Sequence, residues 1–227
     1  MATPKLVITI DGPAGAGKTT VSRALADRLG YRYVDTGALY RAVAWAAERQ
    51  GVRADDDVAL EKLCGGLALK FVPTDAGQRL LAGDTDVTDR IRTPEITMLA
   101  SAVSARPAVR SCLLKVQREM ARRKGVVFEG RDMGTVVFPD ADVKFFLDAD
   151  IEIRAHRRYL QQRGSVSQKP QEVADDMRRR DRNDTTRDLA PLKPAPDAVV
   201  IDSTGIDVEA VIGRMLACIR EKGEPHR

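Results

Sequence analysis

The sequence predicts an α/β fold in which a central parallel β-sheet is flanked by helices on both faces. Short, continuously apolar runs indicate buried strands at residues 6–10, 126–129, 143–147 and 198–201. We also expect a short strand that ends near Tyr33 and Val34. Helical patterns separate these runs, and such alternation is typical of a parallel sheet. A glycine-rich stretch lies between the first strand and the first helix.

The first strand, the glycine-rich stretch and the first helix together form a recognisable motif. Residues 12–19 read G-P-A-G-A-G-K-T and fit the pattern G-x-x-x-x-G-K-[ST] at each fixed position. The helix that follows carries Val21, Leu25 and Leu29 at helical spacing, and Gly30 ends it. Strand, glycine loop and helix therefore occur in the order that a phosphate-binding loop, or P-loop, requires.

The residue types in this loop suit a polyphosphate. Glycines let the backbone turn tightly and bring its amide groups close to the phosphates, and the positive end of the helix faces the same charge. We expect Lys18 to reach the β- and γ-phosphates of ATP and the Thr19 hydroxyl to bind the accompanying Mg²⁺. The predicted ATP contacts are Gly12, Pro13, Ala14, Gly15, Ala16, Gly17, Lys18, Thr19 and Thr20. The alternative is a tight turn in which the lysine is incidental.

The remaining elements follow from local patterns. Residues 55–93 contain short alternating segments separated by turn-forming residues, which indicates a small antiparallel insert. Two helices are expected from Pro94 to Ser104 and from Pro107 to Lys124, because proline favours the first position of a helix. Residues 152–187 are densely charged and helical in pattern, with an interruption near 164–170. An amphipathic helix around residues 208–219 ends the pattern.

Composition excludes several classes of protein. The net charge of +4 comes from 37 basic and 33 acidic side chains, so the surface is mixed rather than polycationic. The three cysteines are widely spaced, and His156 and His226 are the only histidines, which argues against disulfide frameworks, zinc sites and histidine catalysis. No apolar run approaches the length of a membrane span. We therefore expect a cytoplasmic protein with no membrane partner.

A phosphate loop does not by itself define a reaction. The N-K-x-D element of guanine-specific GTPases is missing from the sequence. Three other segments carry candidate ligands: residues 35–41 (D-T-G-A-L-Y-R), 129–139 (E-G-R-D-M-G-T-V-V-F-P) and 180–191. The first two follow predicted strands, and ligands of open α/β folds bind at the carboxyl ends of the strands. We expect all three segments to face one crevice.

With these segments, the chain resembles the bacterial-type cytidylate kinases, which belong to the P-loop nucleoside monophosphate kinase group. The resemblance runs from the first strand to the last helix, and residues 35–41 and 130–139 are its specific marks. It implies ATP-dependent conversion of CMP or dCMP to the diphosphate, and we separately expect a monomer with no nucleic-acid partner. It also implies a single kinase unit with a core at about 1–35, 124–153 and 188–227. A monophosphate-binding region with the insert would occupy about 36–123, and a helical lid about 154–187.

The resemblance also implies the residues that bind the monophosphate. They are Thr36, Arg41, Ser101, Arg110, Arg131, Asp132, Arg180, Asp184 and Arg187. Among them Arg41, Arg131 and Arg180 look like phosphate ligands, since a guanidinium offers paired hydrogen bonds to phosphate oxygens. Asp184 looks like the ribose contact. Glu129 stands where some relatives have aspartate, which puts its role as a partner of magnesium-bound water in doubt.

Ser101, Arg110 and Asp132 would face the base. Asp132 can accept a hydrogen bond from the exocyclic amine of cytosine, while Arg110 and Ser101 can donate to the ring edge. Uracil has an oxygen in place of that amine, so two acceptors would face each other. Buried polar mismatches of this kind can cost about 10⁴-fold or more. The sequence therefore predicts a preference for cytosine over uracil.

Arginines are concentrated in the charged stretch at residues 152–187. In the lid hypothesis they fold over both nucleotides and exclude water. Lys18, Arg131, Arg180 and Arg158 are the predicted catalytic residues, and Arg154 is a further candidate for contact with the transferred phosphoryl group. The simpler interpretation of any one of these arginines is a solvated helix face that pairs with neighbouring acidic residues.

Two other functions remain open from the sequence alone. A kinase for a different small acceptor, such as another nucleotide, shikimate or gluconate, would keep the phosphate loop but require another acceptor pocket. A nucleic-acid-binding module could use the arginine-rich stretch, although its charges alternate with acids and aromatic residues make up only 4% of the chain.

Overall fold

The computed structural model describes residues 5–74, 77–162 and 169–223 of the 227-residue chain. Arg163, His226 and most of the predicted interruption at 164–170 lie outside these residues. The elements are, in order, β1 (Val7–Asp11), α1 (Lys18–Leu29), β2 (Arg32–Asp35), α2 (Thr36–Arg49), α3 (Asp57–Gly66), β3 (Leu69–Thr74), β4 (Gly77–Ala82), β5 (Thr85–Asp86), α4 (Pro94–Val103), α5 (Pro107–Ala121), β6 (Val126–Glu129), a π-helix (Met133–Val137), β7 (Val143–Asp148), α6 (Ile151–Gln162), α7 (Pro170–Thr186), β8 (Val199–Asp202) and α8 (Val208–Gly223).

The chain divides into two compact units, residues 1–34 with 121–227 and residues 35–120. A five-stranded sheet has the order β2-β6-β1-β7-β8, with β1 parallel to both β6 and β7 and β7 parallel to β8. Val7 is opposite Val126 on one side of β1, and Ile8 is opposite Val143 on the other. All five residues of β1 are buried, as expected for a strand at the centre of a covered sheet.

Helices of the first unit pack on this sheet through apolar side chains. Leu25 of α1 and Met215 of α8 join Ile8 and Phe145 of the strands in one buried cluster. Gly30 ends α1 in a left-handed conformation, with φ of 64°. The observed parallel sheet with flanking helices, together with the small antiparallel sheet described below, confirms the predicted fold class.

The second unit combines helices with a three-stranded antiparallel sheet of order β3-β4-β5. Its core contains Leu39 of α2, Leu60 of α3, Val103 of α4 and Leu113 of α5. The antiparallel insert was predicted, but the helix α3 within residues 55–93 was not. Asp56 caps that helix by accepting a hydrogen bond from the Ala59 backbone N–H at 3.0 Å.

Within the described ranges, every helix is too short or too polar to span a membrane.

Candidate active site

The glycine loop connects β1 to α1 through backbone conformations that favour glycine. Gly12, Gly15 and Gly17 have φ values of 146°, 77° and 91°. A Cβ atom at Gly12 would lie 1.9 Å from the Leu147 carbonyl oxygen in β7, whereas one at Gly17 would meet nothing within 4 Å. Close packing against β7 therefore requires glycine at position 12, and the backbone angle alone favours it at position 17.

Carbonyl groups of this loop are bonded by the protein itself. The Pro13 carbonyl accepts from Lys18 Nζ at 2.6 Å, and the Ala14 carbonyl accepts from Arg154 Nη1 at 3.1 Å. The Ala16 carbonyl accepts from Ser203 Oγ at 3.1 Å. Because carbonyl oxygens repel phosphate, these bonds leave the loop better suited to an anion.

Lys18 is buried at the start of α1, with 4% of its surface exposed. Burial is the main cause that lowers its pKa to about 7, and the positive charge of Arg131 is the second. Arg180 also lowers the pKa, while Glu129 and Asp11 raise it. Three predicted catalytic cations thus act on one another, and a bound polyphosphate would relieve their repulsion.

Thr19 and Thr20 lie in the first turn of α1, where both are exposed. Thr19 Oγ1 donates to Glu129 Oε1 at 2.8 Å, and Tyr33 donates through its hydroxyl to Glu129 Oε2 at 2.6 Å. Hydroxyl and carboxylate oxygens are ligands that hard divalent cations prefer. Across the described ranges there is no group of three His, Cys, Asp or Glu side chains able to hold a metal ion by itself.

Asp11, at the end of β1, was not singled out from the sequence. Its Oδ1 accepts from the Met133 backbone N–H at 2.9 Å and its Oδ2 from that of Gly134 at 2.7 Å. Burial raises the pKa of this carboxyl to about 6. These bonds hold the start of the π-helix, immediately after Arg131 and Asp132. An acidic residue between an apolar strand and a glycine loop is the signal that could have identified it.

Four predicted monophosphate ligands form two ion pairs in the first unit. Arg131 Nε donates to Asp184 Oδ2 at 3.1 Å, and Arg187 Nη2 lies 3.7 Å from Asp132 Oδ1. Both carboxylates are buried. The turn after β6 and the end of α7 are thereby joined by residues that lie about fifty positions apart in the sequence.

Helices α6 and α7 carry the remaining predicted arginines of the first unit. Arg180 lies one turn before Asp184 on α7, and Arg158 is half-buried on α6. Arg154 is buried, and it donates to the Ala149 carbonyl at 2.7 Å and to Asp181 Oδ2 at 2.6 Å as well as to the phosphate loop. In this structure Arg154 therefore serves as an anchor between α6, α7 and the loop.

In the second unit, Thr36 and Arg41 lie on α2. Thr36 is buried at the first position of the helix. Asp35 caps α2 by accepting from the Ala38 N–H at 3.0 Å, and its other oxygen accepts from Arg41 Nη2 at 2.8 Å. Arg41 Nε is buried and has no hydrogen-bond partner in the described part of the chain.

Ser101 and Arg110 each form a hydrogen bond with Ser104 at the end of α4. The Ser101 carbonyl accepts from Ser104 Oγ at 2.8 Å, and the Ser104 carbonyl accepts from Arg110 Nη1 at 3.2 Å. The Arg110 guanidinium carbon lies 6.0 Å from the centroid of the Tyr40 ring. Ser104 and Tyr40 thus position Arg110. Tyr40 lies in the distinctive segment 35–41, whereas Ser104 was not among the candidate site residues.

The chain is similar to known proteins over nearly its whole length. Residues 8–221 match the family model for cytidylate kinase. A cytidylate kinase of Geobacter sulfurreducens is 53% identical over 222 residues, which cover 96% of this chain and 94% of that protein. A cytidylate kinase of Pasteurella multocida is 44% identical over 218 residues, covering 96% of both.

Similarity to solved structures includes the following match. An uncharacterized protein from Eubacterium ventriosum superposes with a TM-score of 0.53, at 12% identity, over 95% of this chain and 99% of that one. At this identity the similarity concerns the fold alone.

Proposed function

We propose roles for individual residues in the reaction that this chain catalyses. The chain belongs to the cytidylate kinase family and transfers the γ-phosphoryl group of ATP to CMP or dCMP. The observation that carries this function is the family match over residues 8–221, supported by relatives that cover nearly the whole chain. This match confirms the resemblance stated above. A kinase for another acceptor and a nucleic-acid-binding module are not favoured.

The donor, ATP, is assigned to the loop at residues 12–17 and to Lys18, Thr19 and Thr20. The left-handed glycines, the bonded carbonyls and the buried Lys18 ammonium support this assignment. Lys18 neutralises charge on the phosphates as the phosphoryl group moves, which is the main requirement of phosphoryl transfer.

Kinases of this family use ATP with a divalent metal, and we assign Mg²⁺ to Thr19. The fit rests on the Thr19 hydroxyl, which lies at the loop and is bonded to the Glu129 carboxylate. The bound cation would supply neutralisation of the phosphate charge. Glu129 orients Thr19 by accepting its hydroxyl hydrogen.

Arg131, Arg180 and Arg158 are assigned to the phosphoryl group in transfer. The influence of Arg131 and Arg180 on the pKa of Lys18 supports a shared electrostatic environment for the first two. Arg158 is half-buried on α6, in the same charged helical stretch. Arg154 is assigned an anchoring role, because its donors are bonded to the protein.

Binding of CMP is assigned to nine residues: Thr36, Arg41, Ser101, Arg110, Arg131, Asp132, Arg180, Asp184 and Arg187. The buried Nε of Arg41, which has no partner in the described chain, supports its role as a phosphate ligand.

Asp132 is assigned to the cytosine amine. Its carboxylate is 2% exposed and lies beside Arg187, so it is held in a dry environment where hydrogen-bond complementarity matters most. Asp184 is assigned to the ribose, and its pairing with Arg131 would couple recognition of the sugar to that of the phosphate.

An acceptor panel tests the reaction. Purified protein is incubated with ATP and Mg²⁺, and CMP, dCMP, UMP, AMP and GMP are supplied separately while ADP formation is followed. We expect rapid turnover with the cytidine nucleotides and slow turnover with UMP. A lack of turnover with both CMP and dCMP would contradict the function.

Arg131→Lys tests the residue assignments, with Arg182→Lys as its matched control because Arg182 is exposed on α7. Lysine keeps the charge but loses the paired geometry of the guanidinium. Turnover of Arg131→Lys should fall about 100-fold, the typical cost of losing one transition-state donor. Equal activity in both variants would refute the assignment.

We further propose that the enzyme is a cytoplasmic monomer that acts without nucleic acid. The mixed surface charge and the free cysteines of the described chain support this proposal. Light scattering of the purified protein measures the oligomeric state, and salt-dependent RNA binding tests for a nucleic-acid partner. Cell fractionation measures the location.

A further inference from the structure

A hydrogen-bond chain links Tyr33 to the residue assigned to the cation. The Tyr33 hydroxyl donates to Glu129 Oε2 at 2.6 Å, and Thr19 Oγ1 donates to Glu129 Oε1 at 2.8 Å. One carboxylate therefore connects a hydroxyl of β2 with a hydroxyl of α1. Tyr33 lies 96 residues from Glu129 in the sequence, so only the order of the strands in the sheet brings them together.

The bond to Glu129 decides what the Thr19 hydroxyl can offer a ligand. A hydroxyl carries one hydrogen and two lone pairs. When the hydrogen is donated to Glu129, the oxygen presents lone pairs to its other neighbours, and a hard cation requires such lone pairs. The rotation of the Thr19 hydroxyl thus depends on the position of the Glu129 carboxylate.

Glu129 has a second contact that restricts its position. Its side chain has one more methylene group than aspartate and therefore one more rotatable bond. Tyr33 has a rigid ring that packs against the core of the first unit, and the Arg23 guanidinium carbon lies 5.3 Å from the ring centroid. A rigid donor on β2 therefore holds a flexible carboxylate on β6.

We infer that Tyr33 is a positioning residue for the divalent cation that accompanies ATP, and that it acts through Glu129 on the Thr19 hydroxyl. The inference rests on the proposed assignment of the cation to Thr19. It explains how the longer Glu129 can serve here, since the Tyr33 hydroxyl restricts its extra torsion. Outer-shell partners of this kind typically contribute 10- to 100-fold to metal affinity.

The test measures how strongly Mg²⁺ improves nucleotide binding. The dissociation constant of β,γ-methylene-ATP, which the enzyme does not turn over, is measured by calorimetry in Mg²⁺ and in EDTA. The ratio of the two constants is the cation-dependent gain. Tyr33→Phe removes only the hydroxyl, and we expect the cation-dependent gain to fall about 10-fold. If the wild-type gain is itself less than about 10-fold, we expect it to vanish. The affinity for the nucleotide in EDTA should not change.

Tyr31→Phe is the matched control. Its hydroxyl, two residues before Tyr33, accepts from the Leu6 backbone N–H at 3.1 Å. We expect this variant to keep the full gain. Glu129→Ala gives the second comparison, because Tyr33→Phe should cause no further fall once the carboxylate is gone.

The outcomes separate the role of Tyr33 from the assignment of the cation to Thr19. The role of Tyr33 would be overturned if Tyr33→Phe kept the full cation-dependent gain, or if it lost as much nucleotide affinity in EDTA as in Mg²⁺. It would also be overturned if Tyr31→Phe lost the gain equally, or if Tyr33→Phe lowered the gain further on the Glu129→Ala background. A wild-type protein that shows no gain from Mg²⁺, or a Thr19→Ala variant that keeps it, would instead overturn the assignment of the cation to Thr19.

Discussion

Replacement of Asp11 by asparagine tests how a buried carboxylate at the end of β1 holds the start of the π-helix. The carboxylate accepts two backbone hydrogen bonds, from Met133 and Gly134, and is 4% exposed. Asparagine can accept one of them, but its amide group would face the other N–H. A buried donor without a partner costs about 1–3 kcal/mol, which is expected at every pH.

The pH dependence follows from the pKa of Asp11, which burial raises from 3.8 to about 6. The folded protein therefore binds this proton more tightly than the unfolded chain. The corresponding contribution to the free energy of unfolding is fully present below pH 3.8 and is lost as the pH rises through 6. Between pH 8 and pH 5 it grows by about 1.4 kcal/mol in favour of the wild type.

Urea unfolding at about pH 8 and about pH 5 measures this difference directly. The unfolding free energy of the wild type minus that of Asp11→Asn should increase by about 1.4 kcal/mol on acidification. Asp197→Asn is the control, because a hydrogen bond from Lys144 lowers the pKa of Asp197 and places its titration below the tested range. A constant difference for Asp11→Asn, or a change of opposite sign, would refute the reasoning.

Three further substitutions test the loop and the base contact. Lys18→Ala should lower kcat by at least about 100-fold, because phosphate charge is no longer neutralised; steady-state kinetics measure this, and near-normal turnover would contradict it. Asp132→Ala should reduce kcat/KM for CMP more than for UMP with little change in the KM for ATP, whereas equal losses for both acceptors would argue against base recognition. Gly12→Ala should destabilise the protein by at least about 2 kcal/mol more than Gly17→Ala in urea unfolding, since only the first adds a clash with Leu147 to the backbone strain. Equal costs would show that the clash is relieved.

Local sequence patterns predicted most of the fold. The apolar runs identified the strands of the central sheet, and the prolines at 94 and 107 marked the starts of α4 and α5. The helix α3 was missed because it ends in two glycines and, unlike α4 and α5, does not begin with a proline. Short helices of this kind have little intrinsic stability, and the packing of Leu60 into the core determines that this one forms.

Only part of the candidate site could be predicted, because local patterns do not show long-range contacts. The loop residues were recognised because their chemistry is contiguous in the sequence, and the family was recognised from segments whose residue types are distinctive. The individual roles in binding CMP and Mg²⁺ stay predictions. Asp11 and Tyr33 were overlooked because their contacts are with distant groups. The position of Asp11 between an apolar strand and the glycine loop could have marked it as a candidate, but it does not show which groups Asp11 binds.

The sequence by itself determined the phosphate loop, the α/β class and the family, because each depends on residue types at short spacing. Tertiary structure alone decided which distant groups meet: the Thr19 and Glu129 side chains across 110 residues, and the Asp11 carboxylate with the Met133 backbone N–H across 122. These pairings depend on strand order, on register and on side-chain rotamers. No local pattern encodes them, since they arise only when the parallel strands align their carboxyl ends.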